Sequence, residues 1–371
     1  ERAWLFIDSS KVPEDVLEEL ALHNIQILEY ESIDEKLTQL ISSEMCVYVD
    51  PNRLNYGLYG ILTEIGCNII ERRDITTDLK AIKNDVEIRN IKETLIRDGV
   101  AMVKFLHWLD KKLDNGITEI EAAEKVDEFR AEQEGNRGAS FTSISAYREH
   151  AAMMHYSPSP QSQHTLKREG MYLLDSGGQY LGGTTDITRT IVLGPISDVE
   201  KRDFTLVLKA NISLSRAKFL YGATGANLDV LARQPIWRYG LDYKCGTGHG
   251  VGFFLNVHEG PQNLSQGRNN IKLEEGMILT NEPGIYIEGQ YGIRTENMML
   301  VVEDEKTDCG QFMRFDIITY CPIDLDGIDI TLLNDEEREW LNNYHREVYE
   351  KLSPYLDDEE DAWLRRATRE I

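Results

Sequence analysis

Two aspartates, Asp175 and Asp186, stand eleven residues apart across a glycine-rich stretch that contains Gly177, Gly178, Gly182 and Gly183. Three further donors occupy similar settings: His249 in Gly248-His249-Gly250, Glu282 in Asn281-Glu282-Pro283-Gly284, and Glu296 in Arg294-Thr295-Glu296-Asn297. Each lies beside an apolar, strand-like run. Four carboxylates and one imidazole in such surroundings are costly to bury without a counter-charge. Two divalent cations would neutralise the four negative charges almost one for one, so the fold must bring these distant segments to a common point. The expectation is a dinuclear metallohydrolase. All five donors offer oxygen or nitrogen and none is a thiolate, which favours Mn²⁺, with Co²⁺ or Zn²⁺ as alternatives. Two such ions ~3.5–4 Å apart share a water, lower its pKa towards ~7 and polarise a carbonyl.

Taken singly, each motif has an ordinary explanation. An Asp at a hairpin forms turns, a Glu-Pro-Gly makes loops, and a Gly-His-Gly is usually a satisfied histidine. Their joint occurrence in one chain carries the inference.

The bulk numbers exclude other classes. A chain of 371 residues has room for two domains, and its 41% hydrophobic and 28% charged content is that of a globular protein. A formal net charge of −24 leaves no basic stripe for nucleic acid or an anionic membrane. No apolar run approaches the ~20 residues of a membrane span. The five cysteines, Cys46, Cys67, Cys245, Cys309 and Cys321, are scattered without a C-x-x-C pair. That usage suits a reducing compartment, so the expected location is cytoplasmic. No signal-peptide pattern is present, and the chain starts at Glu1 rather than Met.

Strand and helix signals alternate through the first eighty residues. Strands are expected at Trp4–Ile7, Ile25–Leu28, Met45–Val49 and Cys67–Ile70, and helices at Glu14–His23 and Ser32–Ile41. This open α/β unit, residues 1–80, holds none of the five donors and reads as a scaffold or substrate-covering domain. Asn84 and Glu87 then open a long helix that stops at Asp114-Asn115-Gly116, and Thr118 and Glu121 open a second through Phe129. Strands follow at Ser140–Ser145 and Met171–Asp175, the latter in a hairpin with Thr188–Leu193. Ser197 and Glu200 start a helix through about Phe219, Asn227–Tyr239 reads as another, and strands return at Met277–Asn281 and Ile293–Val302. Two helices followed by ligand-bearing strands, twice over, suggest two related halves in a catalytic domain of residues 81–330. Residues 331–371 read as a charged helical extension, Asn334–Leu352 and Glu359–Thr368. Its apolar Trp340, Leu341, Tyr344, Val348 and Trp363 would face the main domain or a second subunit.

The motifs Asp-Ser-Gly, Gly-Thr-Thr-Asp-x-Thr-Arg-Thr, Gly-Thr-Gly-His-Gly-Val-Gly, Asn-Glu-Pro-Gly-x-Tyr and Gly-Ile-Arg-x-Glu-Asn resemble the metal signature of the pita-bread metallopeptidases. Within them the chain is most similar to the Xaa-Pro aminopeptidases (aminopeptidase P) of the eukaryotic cytosolic type. The likeness runs from about Ile82 to Asp324 and on through Trp340-Leu341-Asn342-Asn343-Tyr344-His345. It implies a pita-bread α/β (α+β) catalytic domain preceded by a smaller α/β domain that corresponds to the family's second, with the first domain of longer members missing. It also implies a homodimer and peptide substrates with proline in second position.

Carried over position by position, the resemblance makes Asp175 a ligand of one metal, and His249 and Glu282 ligands of the other. Asp186 and Glu296 bridge both. A hydroxide between the metals would attack the carbonyl before proline, with Glu282 relaying the proton to the leaving nitrogen. His155, in Met154-His155-Tyr156, and His258, in Val257-His258-Glu259, correspond to histidines that touch the substrate, as His249 also would. Arg294 stands two positions before Glu296 and would share its side of a strand, orienting carboxylates or contacting substrate. Tyr156 and Tyr286 are expected as pocket walls, with core positions as the alternative, and Trp237, Tyr239 and Tyr243 as core. The segment Ala146-Tyr147-Arg148-Glu149-His150 departs from the family pattern. Alternatives within the fold are a prolidase restricted to dipeptides and, less consistent with the flanking segments, a methionine aminopeptidase. A non-catalytic pita-bread peptide-binding module is disfavoured by the intact donor set.

Overall fold

Helices begin where a side chain and its partner three residues on close a capping box: Asn84 with Glu87, Thr118 with Glu121, Ser197 with Glu200 and Asn334 with Glu337. These reciprocal bonds satisfy amide donors that a helix start leaves unpaired. The computed structural model describes residues 2–267 and 269–371, and the chain divides into two compact units, Glu1–Leu79 and Lys80–Ile371.

In the first unit β1 (Ala3–Phe6) pairs in parallel with β2 (Ile25–Leu28), and β3 (Cys46–Val49) with β4 (Asn68–Glu71). Parallel neighbours require crossovers. α1 (Glu14–Leu22) joins the first pair, α2 (Ile33–Leu40) lies between the pairs, and α3 (Tyr56–Ile65) joins the second. The sequence signals do not include α3. Gly57 and Gly60 each cost it about 1 kcal/mol of helix propensity, which burial of Leu62 offsets. α4 (Ile75–Ala81) carries the chain onward.

In the second unit α5 (Asp85–Lys112) and α6 (Glu119–Ala131) precede the sheet that carries Asp175. The single strand expected at 140–145 is replaced by two shorter ones, β5 (Asn136–Ala139) and β6 (Ile144–Tyr147). β7 (Met171–Ser176) turns through β8 (Gly178–Tyr180) and β9 (Gly183–Thr184) into β10 (Ile187–Val192). β7 lies antiparallel between β6 and β10, in a register that sets Thr188 opposite Asp175.

The pattern repeats with α7 (Asp198–Ser215), β11 (Lys218–Leu220) and α8 (Gly225–Trp237). α7 stops short of the expected Phe219 because that residue belongs to β11, its ring 5.1 Å from that of Phe315. Next come β12 (Gly248–His249), β13 (Asn263–Leu264), β14 (Ile278–Asn281), β15 (Gly284–Ile287) and β16 (Tyr291–Arg294). β17 (Asn297–Thr307) and β18 (Gly310–Ile317) complete a four-stranded sheet in the order β11-β18-β17-β14. The strand expected at 293–302 is thus broken at Thr295-Glu296. The large core joins both halves: Ile91 of α5, Leu208 and Ile212 of α7 and Met299 of β17 are fully buried together.

α9 (Asp335–Leu352) and α10 (Asp358–Ala367) close the chain. The apolar face of α9 packs into its own unit, with Leu341, Val348 and Leu352 fully buried. The Tyr344 hydroxyl accepts a bond from Arg189 Nη2 at 2.8 Å. Trp237 and Tyr239, expected in the core, are instead 42% and 47% exposed, whereas Tyr243 is buried. The α8 face that carries Trp237 turns outward, its indole N–H donating to Asp242 at 2.9 Å.

On α9, buried His345 accepts the Ile323 N–H at 3.0 Å through Nε2. Burial pushes its pKa down to about 3. The native state therefore refuses a proton that the unfolded chain takes up below pH ~6.5, so this contribution is complete above that pH and is lost as pH falls towards 3. Neighbouring Asp324, raised to about 6 by burial, titrates in the opposite sense. The stability difference between the native chain and His345→Gln isolates the histidine. It is expected to fall by about 1.4 kcal/mol per pH unit on acidification through that window, as read from urea midpoints. A pH-independent difference would show that His345 is not held neutral.

Candidate metal centre

The turn between β7 and β10 brings Asp175 and Asp186 together. A Cβ on Gly177 would collide with the Thr185 carbonyl, so the two arms approach as closely as they do because that residue has no side chain. β12 presents His249, the loop after β14 presents Glu282, and the break between β16 and β17 presents Glu296. The Glu296 N–H donates to the Thr188 carbonyl at 3.1 Å, which ties the second sheet to the first. The five donors together with His155, His258 and Arg294 line one cleft of about 570 Å³.

The charges in this cleft are crowded. His249 Nε2 lies 3.3 Å from Asp186 Oδ2 and 3.6 Å from Glu282 Oε1. His249 Nδ1 faces the Gly250 carbonyl at 3.0 Å, which places a proton on Nδ1 and turns Nε2 towards the carboxylates. One donor atom each from Asp186, His249 and Glu296 lie within 4.8 Å of one another. Burial, reinforced by the neighbouring carboxylates, holds Asp186 and Glu296 well above the usual carboxyl range. Burial also raises Glu282, against the opposing pull of His249 and Arg294. The Oδ1 atoms of both Asp175 and Asp186 are buried without any hydrogen-bond partner. Orphaned carboxylate oxygens, an imidazole nitrogen turned towards them and no thiolate form a donor set suited to divalent cations.

Neighbouring groups hold three of the four carboxylates in place. Thr188 Oγ1 donates to Glu296 Oε2 at 2.7 Å, and Thr280 Oγ1 to Glu282 Oε1 at 3.3 Å. Arg294 does not share a strand face with Glu296, which lies beyond the end of β16. It is buried, and Nη2 donates to Asp175 Oδ2 at 2.6 Å, Nη1 to the Tyr286 hydroxyl at 2.7 Å and Nε to Thr188 Oγ1 at 3.1 Å. With all three nitrogens engaged by protein groups, its geometry suits orienting Asp175 better than holding a substrate.

His155 is exposed at the mouth of the cleft. The His258 ring lies 4.0 Å from that of His249, and burial together with the nearby His249 and His155 lowers its pKa. Tyr156 and Tyr286 both line the cleft. Sequence reasoning did not single out Thr280, Phe141, Thr142 or Cys245. Thr188 was visible only in a quoted motif and as the start of an expected strand, because β-sheet register rather than chain order brings it to Glu296.

A model of metallopeptidase family M24 matches residues 89–303. The chain belongs to the M24 metallopeptidase family. Its pita-bread fold is followed by a match to the C-terminal region of that family over residues 311–371 and preceded by a creatinase/prolidase N-terminal domain over residues 1–87. A probable Xaa-Pro aminopeptidase P of Laccaria bicolor is 40% identical over 98% of this chain and 58% of its own length. Aminopeptidase P1 of Lotus japonicus is 37% identical over 100% of this chain and 66% of its own. Among solved structures, an X-prolyl aminopeptidase of Caenorhabditis elegans, described as a cytosolic enzyme with a di-nuclear active site, superposes with a TM-score of 0.93. It is 36% identical, over 99% of this chain and 62% of that one. The prolidase of Pyrococcus furiosus superposes with a TM-score of 0.66 at 27% identity, over 86% of this chain and 87% of its own. The chain therefore spans about three fifths of the first relatives it matches. Among the described residues, no helix is long and apolar enough to cross a membrane.

Proposed function

We propose that this chain removes the amino-terminal residue from peptides whose second residue is proline, as a two-metal hydrolase. Asp175, Asp186, His249, Glu282 and Glu296 would hold the ions, with Asp186 and Glu296 shared, and Mn²⁺ is the first choice for a donor set of oxygen and nitrogen. The observation that carries this reading is the pair of buried, partnerless Asp oxygens beside an imidazole nitrogen turned towards carboxylates. Such an arrangement is costly unless cations complete it. When bound, the ions would supply Lewis-acid polarisation of the scissile carbonyl and lower the pKa of a water.

The chain's own groups divide the remaining work. Arg294 keeps Asp175 Oδ2 occupied and leaves Oδ1 for a metal. Glu282 is the carboxylate most open to the cleft, with its side chain 23% exposed against 4% for Asp186 and 10% for Asp175. It is thus the one suited to pass a proton to the proline nitrogen. His155 and His258 line the cleft from separate loops and would donate to the carbonyl as charge develops. A groove of about 560 Å³ shares Phe141, Thr142 and Ser157 with the cleft, which leaves room for chain beyond the proline. A cytosolic location and a homodimer complete the proposal, the first supported by the description of the nematode enzyme, the second by family resemblance alone.

A dipeptide-only prolidase is the second reading, favoured by the nearly complete mutual coverage with the Pyrococcus enzyme. Metal analysis together with hydrolysis of Arg-Pro-Pro and Arg-Pro separates the readings. The expected result is two metal equivalents and cleavage of the tripeptide. Cleavage of the dipeptide alone would favour prolidase, and inert metal-replete protein would favour a binding module.

A further inference from the structure

Glu119 lies outside the donor set, and no role above uses it. Its side chain is fully buried at the first turn of α6, yet it makes no ion pair with Lys or Arg among the described residues. Its carboxylate instead collects donors from one segment of chain. Oε1 accepts the Tyr147 N–H at 2.7 Å, and Oε2 accepts the His164 N–H at 2.8 Å. His150 Nδ1 spans both oxygens at 2.9 and 3.1 Å, and the Tyr156 hydroxyl reaches Oε2 at 3.1 Å. One carboxylate thus closes both ends of the segment that projects His155 into the cleft.

The contacts reinforce one another. The His150 ring stacks on Tyr156 at 4.3 Å between centroids and on His164 at 3.8 Å. The Glu119 backbone N–H also donates to the His164 carbonyl at 3.0 Å. At the middle of the segment Arg294 Nη2 donates to the Met154 carbonyl at 3.4 Å. The residues flanking His155 are therefore fastened on one side to α6 and on the other to the guanidinium that holds Asp175. An acceptor-only carboxylate suits a site with donors on both oxygens, and an amide does not, because its NH₂ would face N–H groups.

We propose that Glu119 is the positioning residue for the His155 segment: it acts on substrate only through His155, by holding its loop, Tyr156 included, against the cleft. The kinetic part of the test rests on the proposed peptidase activity, and the exchange part does not.

The variant is Glu119→Gln in the full chain, loaded with Mn²⁺. Amide hydrogen exchange in residues 148–165 is expected to rise about tenfold or more while α6 keeps its protection and metal content is unchanged. On Arg-Pro-Pro, kcat should fall roughly 10–100-fold. In a His155→Ala background the same change should add less than about twofold, since the two act in series. Equal kcat losses in both backgrounds, or unchanged exchange in the segment, would overturn the proposal. Should Glu119→Gln fail to fold, Tyr156→Phe removes one donor without touching α6. It should raise exchange in the same segment by about threefold, and no rise there would be equally damaging. If the unsubstituted chain does not cleave the peptide, the activity reading fails and exchange alone decides the role of Glu119.

Discussion

Asp186→Asn is expected to lose bound metal and to reduce peptide hydrolysis at least about a thousandfold, while the metal-free form becomes more stable than the unsubstituted apoprotein. The two effects share one cause. Asp186 is buried, its Oδ1 has no partner, and Asp175 and Glu282 add repulsion to the desolvation that already raises its pKa. Without cations, replacing a repelled charge by a neutral amide of the same shape removes a cost, on the order of 1–3 kcal/mol. With cations, the same change would remove the ligand proposed to be shared by both ions. Thermal unfolding in chelator and in excess Mn²⁺ therefore moves in opposite directions: the variant melts higher than the parent in the first and gains little in the second. Full metal content with full activity would refute the bridging role.

Arg294→Met tests the opposite sign. Arg294 is the buried cation of the cleft, engaging Asp175, Tyr286 and Thr188, and methionine keeps much of its length without the charge. Truncating one partner of a buried pair leaves the other charge stranded, so the metal-free protein should lose about 3–5 kcal/mol. Excess metal should return part of that loss, because a cation near Asp175 replaces the missing positive charge. The double variant with Asp175→Asn should be more stable than Arg294→Met alone, since it removes the stranded charge. Urea unfolding of the two single variants and the double variant measures this directly. A simple sum of the single effects would mean that Arg294 acts through packing and not through Asp175.

Much of this centre is legible in the chain order. Asp175, Asp186, His249, Glu282 and Glu296 declare themselves because glycine neighbours and apolar runs surround each of them. The helix starts are equally plain, since a capping box is a local device in which residue types three apart satisfy one another. What escapes is non-local. α3 forms in spite of two glycines, β11 takes Phe219 from the end of α7, and the break at Thr295-Glu296 follows from how β16 and β17 pair with different partners. Trp237 and Tyr239 mislead because aromatic character alone does not say which face of α8 meets the core.

The supporting groups lie furthest beyond the reach of sequence. Thr188 meets Glu296 across 108 positions and Arg294 meets Asp175 across 119. Glu119 serves a loop that begins 28 residues later. Nothing in the local pattern of any of these residues predicts its partner. By itself, the sequence determined the chemistry of the donors, the family to which they belong and the capped helices that frame them, because those depend on residue type and short spacing. Only the tertiary structure decided which oxygens are left unpaired, which cation balances them and which buried carboxylate fastens the His155 segment. Those depend on burial and on sheet register, which exist only once the two halves have packed together.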